Sequence, residues 1–102
     1  MTTPLTLTPG RRSDGKQLLT AAGEIDMSNT EALADALTGI TGRVVVDLTG
    51  VDYLDSAGLA VLFAQADRIE LIAGPVLEPV LKFSGLADLV PVHVSGPGAA
   101  SP

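Results

Sequence analysis

The sequence predicts a small α/β domain in which a mixed, mostly parallel β-sheet is packed by helices. Two observations support this prediction. Short runs rich in valine, leucine and isoleucine alternate along the chain with segments of helical periodicity. Hydrophobic residues make up 46% of the sequence, whereas aromatic residues make up only 3% of it. An aliphatic core of this kind is typical of a small sheet covered by helices. The 102 residues suffice for one such core, so we expect a single domain over residues 1–94.

The first third of the chain predicts a β-hairpin followed by a helix. Leucines alternate with threonines over residues 5–8, a turn-rich stretch runs to Gly15, and residues 17–22 form a second strand-like stretch. This is the pattern of two antiparallel strands. Ser28 with Glu31 three residues later predicts a capping box. The apolar residues that follow have helical spacing, and the glycine at position 39 predicts the end of this first helix.

The middle of the chain contains the strongest pattern. Residues 44–48 form a nearly continuous β-branched run, which predicts a strand buried on both faces, and a turn at residues 50–52 is expected to end it. From Leu59 the apolar residues recur at the i, i+3, i+4 and i+7 positions, so a second helix with one buried face follows. Asp55 or Ser56 is expected to be its N-cap.

The last third predicts three short elements and a tail. Residues 69–73 read as a strand, residues 77–84 as a helix that a glycine ends, and residues 92–94 as a final strand. Pro79 is acceptable only in the first turn of that helix. Strands that alternate with helices favour a mostly parallel sheet with right-handed crossovers. Residues 95–102 contain only Gly, Ala, Pro and Ser, and we expect them to form a disordered tail.

Composition argues against several function classes. A net charge of −6 has the wrong sign for direct nucleic-acid binding, and the absence of cysteine removes thiolate chemistry and cysteine-based zinc sites. The single histidine, His93, is expected to be a strand-edge residue with a structural hydrogen bond. We therefore expect no enzyme activity, no metal and no cofactor. Neither a signal peptide nor an apolar run of about eighteen residues occurs, so we expect no membrane insertion and a cytoplasmic location.

Ser56 is the candidate functional residue, because it lies where the predicted buried strand gives way to a helix. A helix N-terminus presents unpaired N–H groups and the positive end of the helix dipole, so a phosphate on Ser56 would be stabilised there. Ligands and partners of open α/β sheets also tend to meet the carboxyl ends of the strands. Asp55 and Ser56 are also consistent with plain capping residues, worth about 1 kcal/mol, and local pattern does not separate the two interpretations.

Three motifs add to this local pattern. Residues 44–59 resemble the signature of the STAS family of anti-sigma factor antagonists, in which a valine-rich strand ending in Asp-Leu leads through a short turn to Asp-Ser-(Ser/Thr/Ala)-Gly-Leu. Residues 23–26, Gly-Glu-Ile-Asp, and residues 80–86, Val-Leu-Lys-Phe-Ser-Gly-Leu, are similar to two further motifs of that family. The motifs occur in the family's order and span most of the chain, so the resemblance implies a STAS-like fold over residues 1–94.

The resemblance also implies a function. In regulatory members of the family, an anti-sigma factor with serine kinase activity phosphorylates the serine at the position of Ser56, and only the unphosphorylated form binds that kinase. A separate phosphatase is expected to reset the protein, because nothing in this chain predicts phosphate hydrolysis. The partner-binding residues implied by position are Asp26, Asp55, Ser56, Ala57, Gly58 and Leu59.

A second function within the same family stays open. Stand-alone domains of the family also serve as small subunits that dock onto the ATPase of lipid-transport ABC complexes. The pair formed by Asp55 and Ser56 is compatible with that role too. A neighbouring gene for a kinase-type anti-sigma factor would favour the switch, whereas a neighbouring permease with its ATPase would favour the transporter subunit.

Overall fold

The computed structural model describes residues 4–95 and confirms the predicted α/β class. Strands and helices alternate after an initial hairpin. In chain order the elements are β1 (Thr6–Arg11), β2 (Gln17–Ile25), α1 (Thr30–Thr38), β3 (Val44–Leu54), α2 (Ser56–Ala64), β4 (Ile69–Ala73), α3 (Glu78–Phe83), a 3₁₀ turn (Leu86–Asp88) and β5 (Val92–Val94).

The five strands form one sheet whose spatial order is the chain order. β1 pairs antiparallel with β2, and the three other pairings are parallel. Every parallel connection therefore steps in the same direction, and because such crossovers are right-handed, α1, α2 and α3 lie on the same face of the sheet. Each of these helices starts at the end where the parallel strands finish, which we call the carboxyl end. The opposite end is the amino end.

The core lies between the sheet and its helices and is aliphatic, as the composition predicts. It contains no buried polar or charged residue within residues 4–95. Removing each large apolar side chain from water stabilises the fold by roughly 1.5–3 kcal/mol before entropy is counted. Its fully buried members include Leu19 and Ile25 of β2, Leu37 of α1, Leu62 of α2 and Leu81 of α3.

β3 corrects the prediction of a turn at residues 50–52. The strand continues to Leu54 and pairs with β2 through two register shifts, because Val51 and Leu54 both have core positions to fill. A Cβ added to Gly50 would lie 3.0 Å from the Cβ of Ala22, so glycine permits the close approach of the two strands there. The sequence suggested a turn because the irregular pairing breaks the alternation of buried and exposed residues.

The start of α1 also differs from the prediction, and the capping box of Ser28 and Glu31 is wrong. The N-cap is Asn29, whose side chain makes no capping hydrogen bond, and the helix begins at Thr30. The Ser28 hydroxyl donates instead to Asp26 Oδ1. The end of the helix is as predicted, with Gly39 as the C-cap.

Arg68 fixes the short connection between α2 and β4. Its guanidinium donates to the carbonyl oxygens of Leu37 and Gly42, both at 2.9 Å, and to that of Ile40. α1 has no basic residue in its last turn. Arg68 therefore supplies the cation that complements the C-terminal carbonyls of α1, and it ties the α1–β3 connection to the base of β4.

The last elements follow the predictions closely. α3 begins at Glu78, one residue after the expected start, with Pro79 in its first turn. His93 is exposed on edge strand β5, and its Nε2 lies 3.3 Å from Glu70 Oε1, which confirms the structural hydrogen bond. The Ser95 N–H donates to the carbonyl of Ala73 at 2.8 Å, while the rest of the expected tail lies outside the described residues. No helix between residues 4 and 95 is long and apolar enough to cross a membrane.

Candidate functional site

Ser56 is the first residue of α2, two residues after the last residue of β3, at the carboxyl end of the sheet. Its side chain is exposed, and no hydrogen bond to its hydroxyl occurs within the described part of the chain. The preceding Asp55 is the N-cap, as predicted, and its Oδ1 accepts the Gly58 N–H at 3.0 Å. The helix therefore has its own cap, and the Ser56 hydroxyl is left free for another molecule.

Asp55 has a second structural role that the sequence did not reveal. Its Oδ2 accepts the N–H of Met27 at 3.2 Å, and its own N–H donates to the carbonyl of Ile25 at 3.1 Å. The carboxylate thus joins the N-terminus of α2 to the segment between β2 and α1, residues 26–29, which we call the β2–α1 loop. Both oxygens of Asp55 have backbone partners, so this side chain links the first turn of α2 to the β2–α1 loop.

Asp26 organises the same loop from its other end. Its Oδ1 accepts the Ser28 hydroxyl and the Ser28 N–H, and its N–H donates to Asn29 Oδ1 at 3.0 Å. Asn29 Nδ2 in turn donates to the carbonyl of Glu24 at 2.8 Å. The Ser28 hydroxyl, and then the Ser28 N–H, hold the pKa of the Asp26 carboxyl below its ordinary value, while burial acts in the opposite direction.

Gly58 lies beneath the surface that Ser56 occupies, although we expected it among the partner-binding residues. It is buried, and a Cβ at this position would be 2.5 Å from Leu54 Cδ1 and 2.7 Å from Ile25 Cγ2. Such distances are too short for carbon atoms in contact. The glycine therefore lets the first turn of α2 sit directly on the ends of β2 and β3, which fixes the position of Ser56.

The other predicted residues lie near Ser56 with different degrees of exposure. Asp26, Asp55, Ala57 and Leu59 are half-buried, and Leu59 packs against the core. The hydrogen bonds of Asp55 bring the β2–α1 loop to the N-terminus of α2, so one surface contains residues from two connections. The family resemblance implied that Asp26 and Asp55 lie on the same surface as Ser56.

Met27 is the site residue that sequence reasoning missed. Its side chain is 80% exposed, and its N–H is the group that Asp55 holds. Tyr53, near the end of β3, is 50% exposed. The signal for Met27 was present in the sequence, since a large apolar residue lay in a polar loop without helical or strand periodicity to bury it.

The two carboxylates nearest to Ser56 are engaged in hydrogen bonds within the protein. Within residues 4–95 no group of three or more His, Asp or Glu side chains is arranged to hold a metal ion. Around the Ser56 hydroxyl, the carboxylates of Asp55 and Asp26 already accept hydrogen bonds from the backbone or from Ser28. The site therefore presents the Ser56 hydroxyl on a hydrogen-bonded support.

Comparison with known proteins agrees with this arrangement. The family model described as "Mlab, STAS domain" matches residues 10–91. A putative anti-sigma factor antagonist, BtrV of Bordetella bronchiseptica, is 30% identical over 100 residues, which cover 86% of each chain. The anti-sigma-F factor antagonist RsfB of Mycobacterium tuberculosis is 29% identical over 87 residues, covering 81% of this chain and 68% of RsfB.

Solved structures show the same fold. An anti-sigma factor antagonist from Mycobacterium paratuberculosis superposes with a TM-score of 0.80 at 27% identity, covering 88% of this chain and 86% of that one. The unphosphorylated anti-sigma factor antagonist SpoIIAA superposes with a TM-score of 0.70 at 13% identity over 89% of both chains, a likeness of fold alone. The motifs, the fold and the family model agree, and the chain belongs to the STAS domain family.

Proposed function

We propose that this protein is an anti-sigma factor antagonist that binds an anti-sigma factor with serine kinase activity, and that phosphorylation of Ser56 releases it. The observation that carries the proposal is the exposed, unbonded Ser56 hydroxyl at the first residue of α2. The names of the relatives support the binding role, since three of them are called antagonists of anti-sigma factors.

A phosphate on Ser56 would be compatible with the free protein. It would lie at the positive end of the α2 dipole, where an anion is favourable by about 0.3–1 kcal/mol. Asp55 keeps the Gly58 N–H as its own partner, so the cap of the helix does not depend on the Ser56 hydroxyl. The fold is therefore expected to survive phosphorylation.

The same phosphate would be unfavourable in an interface fitted to a neutral hydroxyl. A phosphoserine carries a charge of about −1.5 to −2 near neutral pH, and it would lie beside Asp55 and near Asp26. Like-charge repulsion and loss of hydration would then oppose docking. Since about 1.4 kcal/mol corresponds to a tenfold change in affinity, a loss of a few kcal/mol is enough to exchange partners.

The proposed role is that of a regulatory binding protein and not of an enzyme. Removal of the phosphate is assigned to a separate phosphatase, because the Ser56 region offers no metal-binding group or free base. The proposed partners act on transcription, so we place the protein in the cytoplasm.

The proposal is tested with the purified serine-kinase anti-sigma factors encoded in the same genome. Wild type and Ser56→Ala are expected to bind one of them, and ATP is expected to release only wild type. Ser56→Asp is expected to bind at least tenfold more weakly, with an unchanged melting temperature. Ser13→Asp is the matched control, because Ser13 is exposed in the hairpin turn at the amino end.

Docking onto the ATPase of a lipid-transport ABC complex is the competing outcome. In that case the protein would co-purify with the ATPase, no kinase would transfer phosphate to Ser56, and Ser56→Asp would bind every anti-sigma factor as well or as poorly as wild type does. That combination of results would reject the switch.

A further inference from the structure

Five of the six basic residues of this protein lie at the amino end of the sheet. The hairpin carries three of them, and two more directly precede β3 and β4. The sixth lies in the final turn of α3 and pairs with Glu78 of the first turn of the same helix at 3.3 Å. These are all the lysine and arginine residues of the sequence. The six residues are Arg11, Arg12, Lys16, Arg43, Arg68 and Lys82.

The carboxyl end, which contains Ser56, is acidic. Five carboxylates lie on the last residues of β2 and β3, in the β2–α1 loop, on the first turn of α1 and at the N-cap of α2. No cation lies among these segments. We call this group the acidic rim, and its members are Glu24, Asp26, Glu31, Asp52 and Asp55. The molecule thus has a strong charge asymmetry along its strands in addition to its net charge of −6.

Met27 stands within the acidic rim as an exposed apolar side chain. It is 80% exposed, while its backbone is held by Asp55 and flanked by the Asp26–Ser28 hydrogen bonds. A fixed backbone lowers the entropy lost when a side chain docks. Methionine adapts its shape to an apolar pocket, and binding energy in interfaces concentrates in such central residues surrounded by polar ones.

We infer that Met27 is the apolar anchor of the docking surface and that the acidic rim selects a partner with a basic surface. This inference rests on the proposed function and describes the partner more closely. The anti-sigma factor would carry an apolar pocket for Met27 that is bordered by lysine and arginine side chains. Steering between opposite charges raises the association rate, whereas burial of the anchor slows dissociation.

The anchor is tested by Met27→Ala with Phe83→Ala as its matched control. Phe83 is 92% exposed, but it ends α3 at the amino end. Binding to the anti-sigma factors of the same genome is followed by surface plasmon resonance, with ADP in place of ATP so that no phosphate is transferred. We expect Met27→Ala to raise the dissociation rate roughly tenfold or more and Phe83→Ala to leave it unchanged.

The charge is tested by Asp52→Lys with Asp67→Lys as its matched control. Both aspartates are exposed and both substitutions change the net charge equally, but Asp67 lies in the α2–β4 connection at the amino end. Asp52→Lys is expected to lower the association rate several-fold and to flatten its dependence on salt. Asp67→Lys is expected to leave both close to wild type.

The outcomes separate this inference from the proposed function. If Ser56→Asp abolishes binding while Met27→Ala and Asp52→Lys match their controls, the switch stands and the docking surface is wrong. If wild type binds no anti-sigma factor, both are wrong. An association rate that is independent of salt, or that rises with salt, would overturn the basic partner surface even if Met27→Ala weakened binding.

Discussion

Asp55 uses its two carboxylate oxygens for two different connections, and replacing it with asparagine or alanine separates their contributions. Oδ1 caps α2 through the Gly58 N–H, and Oδ2 holds the β2–α1 loop through the Met27 N–H. Alanine removes both hydrogen bonds. Asparagine has a single acceptor oxygen and a donor amide in place of the other, so it retains only one of them.

The expected magnitudes follow from the geometry. Loss of an N-cap side chain costs about 1 kcal/mol. Loss of the hydrogen bond to the exposed Met27 segment costs a similar amount, about 1 kcal/mol, because water replaces the carboxylate there only in part. Asp55→Ala should therefore lower the free energy of unfolding by about 2 kcal/mol and Asp55→Asn by about half of that, out of a total of roughly 5–15 kcal/mol.

Urea denaturation followed by circular dichroism measures the two stabilities, and amide hydrogen exchange identifies the bond that each variant loses. Asparagine favours capping, so in Asp55→Asn the Met27 N–H should exchange faster while the Gly58 N–H stays protected. In Asp55→Ala both should exchange faster. Equal stabilities for the two variants, or a Met27 N–H that exchanges as in wild type in both, would refute the two-bond account.

Three further predictions concern the stability of the fold. In the same urea assay, Arg68→Met should lower the free energy of unfolding by roughly 2–3 kcal/mol, since three carbonyl oxygens lose their donor. The control Arg43→Met removes an exposed guanidinium and should change the free energy of unfolding by less than about 0.5 kcal/mol. Gly58→Val should cost about 2–3 kcal/mol by overpacking, and a urea midpoint equal to that of wild type would show that the first turn of α2 can move away from the strands. The pKa of Glu70 lies below its ordinary value, mainly because Lys16 donates a hydrogen bond to the carboxylate. The ionised Glu70 therefore stabilises the fold at pH values above the pKa that it has in the unfolded chain. This contribution is lost as the pH falls through the pKa that Glu70 has in the folded protein. Glu70→Gln should therefore be less stable than wild type at neutral pH by less than about 1 kcal/mol, with the difference disappearing in acid, and a difference that persisted in acid would contradict the assignment.

Elements with regular periodicity could be predicted from the sequence. The hairpin, the Val44 strand and the helix after Asp55 all begin where the pattern places them, because their apolar residues pack into the core. The carboxyl-end position of Ser56 followed from the order of strands and helices alone. The resemblance to the family motifs implied the same fold and the same position for Ser56.

The parts that could not be predicted depend on contacts between distant residues. The pairing of Gly50 with Ala22 extends β3 through a segment that reads locally as a turn. Ser28 looked like a helix cap, but Asp26 competes for its hydroxyl, and Asn29 becomes the N-cap instead. A single-residue pattern contains no information about such competition.

The roles of Asp55 and Gly58 within the site illustrate the same limit. The family resemblance implied that both contact the partner, and this stays a prediction. The structure adds that Asp55 accepts two backbone hydrogen bonds and that Gly58 is buried under the first turn of α2. The backbone of Met27 is held by Asp55 while its side chain is exposed. Which side chains face outward was a property of the packing and not of the motif.

The most direct test of the account is to incubate the protein with each serine-kinase anti-sigma factor of its genome and ATP, and to map any added phosphate by tandem mass spectrometry. We expect one phosphate, on Ser56 alone, and dissociation of the complex as it is added. A phosphate on another serine or threonine, or a complex that persists after Ser56 is fully phosphorylated, would contradict the account.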